Sequence, residues 1–206
     1  CYPGVMKFRK NVATLEFKFI DLCAGIGGLR LPFESRRISF GNDIFNIKSK
    51  CVWTSEMDED ACFVYANNFS TSDNSQSMSQ YMASINRDFT SFPPSAVPDH
   101  DLLLAGFPCQ PFSQAGKRQG RLDVRGRVFD AIESIIAEKQ PKLVLLENVK
   151  GLRSMRNPDG TLVLDQILKA LTKPRRMNTG GRPKLKQGKG LLEYYVPEPK
   201  ILNARD

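Results

Sequence analysis

The 206-residue chain predicts an α/β fold built on a doubly wound sheet, from three observations. Short apolar runs suited to buried strands, at Phe17–Leu22, Lys50–Ser55, Leu102–Ala105 and Leu143–Leu146, alternate with stretches of helical periodicity. The first run passes directly into Cys23-Ala24-Gly25-Ile26-Gly27-Gly28, and strand, glycine turn, helix is the opening unit of a dinucleotide- or nucleoside-binding sheet. Polar and reactive residues gather just past the strand ends, the rim where open sheets of this kind bind ligands.

Composition narrows the function classes. Apolar content of 41% and charged content of 25% fit an ordinary globular protein with one sizeable core. A net charge of +8 and a pI near 9.3 favour a polyanion such as nucleic acid, with bare solubility as the equal alternative. Five cysteines without C-x-x-C spacing argue against a disulfide framework or a zinc site, and so for a reducing compartment. There is no signal-peptide pattern and no bilayer-spanning apolar run, so the chain reads as neither secreted nor membrane-bound. The single histidine, His100, sits between Asp99 and Asp101 on a turn, which leaves Ser-His-Asp and Cys-His schemes little to work with.

Taken in order, residues 1–14 are basic and patternless and read as a poorly ordered leader, with Met6 a candidate original start; residues 15–206 form the domain. Leu29 to Ser35 looks like the start of a helix after the glycine turn. The strand Lys50–Ser55 ends at Glu56, in the position where an acid commonly binds ribose hydroxyls. Asp58, Glu59 and Asp60 favour the positive end of the helix that follows to Asn67, whose buried face is Ala61, Val64, Tyr65 and Phe69. Ser70 to Ser84 reads as a flexible polar loop closed by Asn86–Thr90. Gln114 to Gly126 is a mobile basic segment. The helix Val128–Lys139 turns Phe129, Ile132, Ile135 and Ile136 inward and is stopped by Pro141. Thr161–Thr172 is the next helix, through Leu164, Ile167, Leu168 and Leu171. Lys173 to Gly190 carries seven basic residues and no acid, either a solvated loop or a phosphate-binding arm. Pro199 to Ala204 begins one more strand.

The chemistry centres on Leu102-Leu103-Leu104-Ala105-Gly106-Phe107-Pro108-Cys109-Gln110-Pro111-Phe112-Ser113. Two prolines stiffen the backbone around Cys109 at a strand's carboxyl end. A thiol is the most nucleophilic of the ordinary side chains even when little ionised. A lone cysteine is more often a buried core residue; the flanking prolines, with Gln110 and Ser113 beyond, favour a nucleophile here.

Gly106-Phe107-Pro108-Cys109-Gln110-Pro111-Phe112-Ser113 and Glu147-Asn148-Val149, in that order and spacing, resemble the DNA cytosine-5 methyltransferases, and the resemblance runs from Phe19 to Asp206. It implies the AdoMet-dependent methyltransferase variant of the doubly wound, Rossmann-like sheet. It implies that Asp21, Cys23, Ala24, Gly25, Ile26, Gly27 and Gly28 line the methionine and adenosine of AdoMet, and that Glu56 holds the ribose. Met57, Asp88, Phe89 and Pro108 would complete the cofactor side, Asp88 and Phe89 at the adenine. Cys109 would add to carbon 6 of an extruded cytosine, making carbon 5 nucleophilic. Glu147 would hydrogen-bond ring nitrogen 3 and the amine, a role that calls for a carboxyl pKa raised by burial. Gln110, Ser113 and Arg125 would touch double-stranded DNA, in the bacterial cytoplasm or, in a eukaryote, the nucleus. Cys23 stands where the family usually has Phe, and Met57 where an aromatic is common. The resemblance further implies a sheet incomplete at its C-terminal end, with the target-recognition region supplied by a complementary C-terminal part or subunit and the chain inactive without it. The alternatives are a non-catalytic AdoMet- or nucleic-acid-binding fragment and a cytosine-5 methyltransferase of RNA. A nicotinamide dehydrogenase would place an acid about 20 residues past the glycines, after a strand, and none stands there.

Overall fold

The computed structural model describes residues 12–41, 43–70, 77–108, 126–157, 159–174 and 194–200. Five strands form one sheet: β1 (Val12–Leu22), β2 (Arg36–Phe40), β3 (Asp43–Ser55), β4 (Leu102–Gly106) and β5 (Leu143–Glu147). Their order is β2-β3-β1-β4-β5. β1 is parallel to both β3 and β4, β5 is parallel to β4, and only β2 runs antiparallel, along the outside of β3. The chain thus winds outward from β1 to β3 and crosses back to β4. The strand order reverses between β1 and β4, and in such sheets the crevice at the reversal, past the carboxyl ends, is the ligand site. Gly25 and Cys109 follow these two strands in the sequence.

Side-chain alternation along β1 and β4 feeds two cores. Ile20, Leu22, Leu103 and Ala105 pack against Phe129, Ile132, Ile135 and Ile136 of helix α3 (Gly126–Lys139), with Ile167 of α4 (Val163–Thr172) in the same cluster. Phe19, Leu102 and Leu104 face the other way, onto Leu29 and Phe33. A third cluster joins Ala24 of the glycine turn to Cys62, Tyr65, Ala66 and Phe69 of α1 (Glu59–Phe69) and Tyr81 of α2 (Met78–Ser84). This third cluster matters most for the site, because it seats the turn.

Several expectations are corrected. β1 begins at Val12, so the end of the expected leader, Val12 to Thr14, is already strand. Leu29 to Ser35 holds only a 3-10 turn at Leu31–Phe33, and the chain then forms β2. The alternating Arg36-Arg37-Ile38-Ser39-Phe40 favours a strand, and Gly41-Asn42 is hairpin-turn chemistry, with Phe40 and Asp43 paired across it. β3 therefore starts at Asp43 rather than Lys50. The polar stretch before Asn86 contains α2, opened by a capping box of Ser77 and Gln80 and anchored by the buried Tyr81. On α1 the buried face is Cys62, Tyr65, Ala66 and Phe69, while Val64 is exposed, because the helix turns toward the glycine loop. Of the expected strand from Pro199 to Ala204, Pro199 and Lys200 are irregular and the rest lies outside the described residues. His100 is buried, its Nδ1 against the Pro98 carbonyl at 2.8 Å.

Candidate active site

The glycine turn is held from three sides. Cys23 leaves β1 in the left-handed region at φ 50°, followed by Gly25 at 52° and Gly27 at 93°. The Ala24 amide donates to the Ser55 carbonyl at 3.1 Å, and the Gly25 amide donates to Glu56 Oε2 at 2.7 Å. At Gly27 a side chain has no room: a Cβ there would stand 2.2 Å from the Phe69 ring and 3.2 Å from Tyr65. Asn68 Nδ2 donates to the Ile26 carbonyl at 3.0 Å, so α1 grips both ends of the turn.

Beneath the turn lies a buried polar cluster that the sequence pattern did not single out. Arg30, 1% exposed, stacks its guanidinium 4.1 Å from the centroid of Phe69. Its Nη1 donates to the hydroxyls of Tyr65 at 3.2 Å and Tyr81 at 2.6 Å, and its Nε to Glu34 at 2.5 Å. The Tyr65 hydroxyl donates in turn to Asp21 Oδ2 at 3.2 Å. Asp21 itself is fully buried, and burial pushes its carboxyl up to about 7. Cys23, half-buried beside Glu56 and Asp21, has its thiol pushed up to about 12, chiefly by desolvation. That thiol stays protonated at neutral pH.

Glu56 sits at the exit of β3. Its Oε1 accepts from the Asp58 amide at 2.8 Å while Oε2 takes Gly25, and each oxygen keeps a lone pair for a further donor. The Glu56 amide donates to the Asn86 carbonyl at 2.9 Å, which brings the Asn86–Phe89 segment alongside. Asp88 Oδ1 accepts from the amide and hydroxyl of Thr90, capping a short turn. Phe89 is buried in the large core, so at most its edge reaches the rim; Ile26 and Met57 are exposed.

Across the reversal point, β4 and β5 end together. In register, Gly106 pairs with Glu147. A Cβ at Gly106 would lie 3.5 Å from Glu147 Oε2, 3.7 Å from the Cys23 carbonyl and 3.7 Å from Leu29 Cδ1. The carboxylate of β5 and the glycine turn of β1 thus meet over one bare glycine. Asn148 Nδ2 donates to the Phe107 carbonyl at 2.7 Å, tying the exit of β5 to the backbone that leads through the exposed Pro108 to Cys109. Glu147 is exposed rather than buried, a correction to the expectation, because β5 is the edge of the sheet among the described residues. Cys109, Gln110, Ser113 and Arg125 lie outside the described residues.

The sheet order and the glycine turn define a Rossmann-like α/β protein. A crystal structure of Dnmt2 methyltransferase from S. pombe shares that fold, with a TM-score of 0.50 at 19% identity over 75% of this chain and 42% of that one. The family model described as C-5 cytosine-specific DNA methylase matches residues 17–174, and the chain belongs to that family. Among curated proteins it is 37% identical to the type II methyltransferase M.HpaII of Haemophilus parainfluenzae, over 93% of this chain and 42% of that protein. It is 40% identical to M.DsaV of Dactylococcopsis salina, over 77% of this chain and 38% of that protein. Against M.HaeII of Haemophilus aegyptius the identity is 44%, over 76% and 42%. The matched stretch is therefore less than half the length of each of these relatives.

Proposed function

We propose that this chain carries the cofactor-binding and reacting groups for methylation of cytosine in DNA at carbon 5, with AdoMet as cofactor and Cys109 as nucleophile. One observation carries the reading: the glycine turn, Glu147 and the backbone leading to Cys109 converge at Gly106, at the reversal of strand order. Family membership supplies the reaction class.

The residues present suit AdoMet. Gly25 and Gly28 have open space where side chains would be, Glu56 retains lone pairs for ribose hydroxyls, and the exposed Met57 and Ile26 offer apolar contact. When bound there, AdoMet supplies the electrophilic methyl group that carbon 5 takes up. The chain's residues prepare the acceptor. The Cys109 thiolate adds to carbon 6, pushing electron density to carbon 5. Glu147 meets nitrogen 3 and the amine and steadies the charge that builds there. Loss of the carbon 5 proton then expels the thiolate and restores the ring. The target must leave the helix, at a cost of a few kcal/mol of unstacking. Gln110, Ser113 and Arg125 contact the DNA around it.

Because the relatives are more than twice as long as the matched stretch, we assign sequence recognition to a complementary C-terminal portion or subunit. Among the described residues no helix is long and apolar enough to cross a membrane, and we place the activity on DNA in a bacterial cytoplasm.

A mechanism-based trap tests the reading. Duplex DNA containing 5-fluorocytosine, incubated with AdoMet and the chain together with its complementary C-terminal portion, should yield a covalent adduct mapped to Cys109 by peptide mass. Cys109→Ala should yield none. Adducts on RNA but not DNA would favour an RNA methyltransferase, and AdoMet binding without any adduct a non-catalytic fragment.

A further inference from the structure

Asp21 is a carboxylic acid shut inside the protein with half its hydrogen-bonding capacity unused. It is 0% exposed and stands at the penultimate position of β1, just ahead of the glycine turn. Its Oδ1 is buried without a hydrogen-bond partner, and Oδ2 has the Tyr65 hydroxyl at 3.2 Å. Each neighbouring element brings an identifiable group. Thr54 of β3 bonds the Tyr65 hydroxyl at 3.2 Å rather than Asp21, and Leu104 of β4, its register partner, brings only hydrocarbon. From α1 comes Tyr65, a neutral phenol whose ionisation burial pushes far above the ordinary value. Past the turn comes Arg30, bonded to Glu34, Tyr65 and Tyr81, whose positive charge favours an ionised Asp21 but is outweighed by burial. On the rim side stand Glu56 and the Cys23 thiol; Glu56 disfavours a second negative charge nearby.

A cluster arranged this way favours an uncharged Asp21 until a new positive charge arrives. The glycine turn is where one would arrive. AdoMet has a sulfonium and an ammonium against one carboxylate, so it enters as a net cation. Resting on the cofactor reading above, we infer that Asp21 is a proton-linked positioning residue of the cofactor pocket. It is a neutral acid in the ligand-free chain, and its proton passes to solvent as the cationic ligand seats on the turn one layer above. The resulting carboxylate, bonded to Tyr65, then faces the ligand's positive charge. No other bond forms or breaks. Burial, with a smaller push from Glu56, outweighs the pull of Tyr65 and Arg30 and raises this carboxyl to about 7, so the step falls within the physiological range. A cation a few ångströms away typically lowers a carboxyl's pKa by about 1 to 3 units.

The test uses the 206-residue chain and AdoMet. Carboxyl-carbon NMR of the ligand-free chain should show Asp21 ionising between about pH 6 and about pH 8, far above an ordinary aspartate. Calorimetric titration in two buffers of different ionisation enthalpy should show most of a proton released near pH 6 and about a tenth near pH 8, with affinity rising about tenfold between them. Asp21→Asn, which keeps an acceptor for Tyr65, should bind with no proton release and a flat pH profile. A carboxyl already ionised at pH 5, AdoMet binding without proton release, or undiminished release in Asp21→Asn would each overturn the inference while leaving the cofactor reading intact. Failure to bind AdoMet at any pH would overturn the cofactor reading, and this inference with it.

Discussion

Where β1 and β3 end, the glycine turn is bonded to Ser55 and Glu56, pressed on Phe69, and underlain by Arg30 with two tyrosines and a glutamate around it. Where β4 and β5 end, the side-chain amide of Asn148 joins the two strands' exits among the described residues, Glu147 is exposed, and so are Leu143 and Leu145 earlier on β5. The side with the glycine turn is closely tied to its neighbours, and the side with Glu147 is open. The difference follows from layering. α1 and α2 pack on one side of the turn, at Ala24 and Gly27, and leave Ile26 and Gly28 exposed, whereas among the described residues β5 has a neighbouring strand on one side only. A site divided this way can be fully formed for the small ligand while the face that meets the large one is left to be completed by what docks there.

The sharpest way to break the comparison is through Arg30. Truncation by Arg30→Ala leaves Glu34 and two phenols without their buried partner and removes the stack on Phe69, so it should cost about 3 to 5 kcal/mol in urea unfolding. A cost below about 1 kcal/mol would mean that the cofactor side is as loosely held as the other. Asn148→Ala removes two hydrogen bonds, to the Phe107 carbonyl and from the Val149 amide, and should cost about 1 to 2 kcal/mol in the same assay. Its larger effect should be on formation of the Cys109 adduct, with AdoMet affinity unchanged; an equal loss in both would show the two sides to be one unit. The smallest change is expected at the edge. Leu145→Lys places a charge where the side chain is already 39% exposed and should alter stability by no more than about 0.5 kcal/mol.

Much of this arrangement is legible in the amino-acid sequence. Periodicity finds α3 and most of α1 because each buries one face, and β4 and β5 show as short continuous apolar runs. The strand ends then follow, and with them Asp21, Glu56 and Glu147. Other features depend on partners distant in sequence. β2 and the first half of β3 form a hairpin whose turn, Gly41-Asn42, is a local signal, but the charged Arg36, Arg37, Lys48 and Lys50 dilute the alternation that would mark its strands. α2 is short, with only Tyr81 buried and Met78 and Met82 half-buried beside it, and it is held by the capping box and the contact with Arg30 across 51 residues. The exposure of Glu147 is illegible for the opposite reason. An apolar run such as Leu143-Val144-Leu145-Leu146 reads as buried on both faces, and only the sheet order shows which flank is open.

β1 outruns β4, its neighbour on one side. It meets β3 along its whole length, but β4 only from Phe19 to Leu22. Lys18 turns its backbone toward the β4 side, where its amide meets Asp101 at 3.0 Å, so the groups of Thr14 and Glu16, two and four residues earlier, point the same way beyond the reach of β4. Among the described residues that flank pairs with no strand, and it is the kind of border on which a second copy could add one. Glu16 and Lys18 stand along it, and any incoming strand would have to desolvate both charges to pair there. The stretch that projects furthest from the body is thereby guarded against self-assembly by the residues that build it.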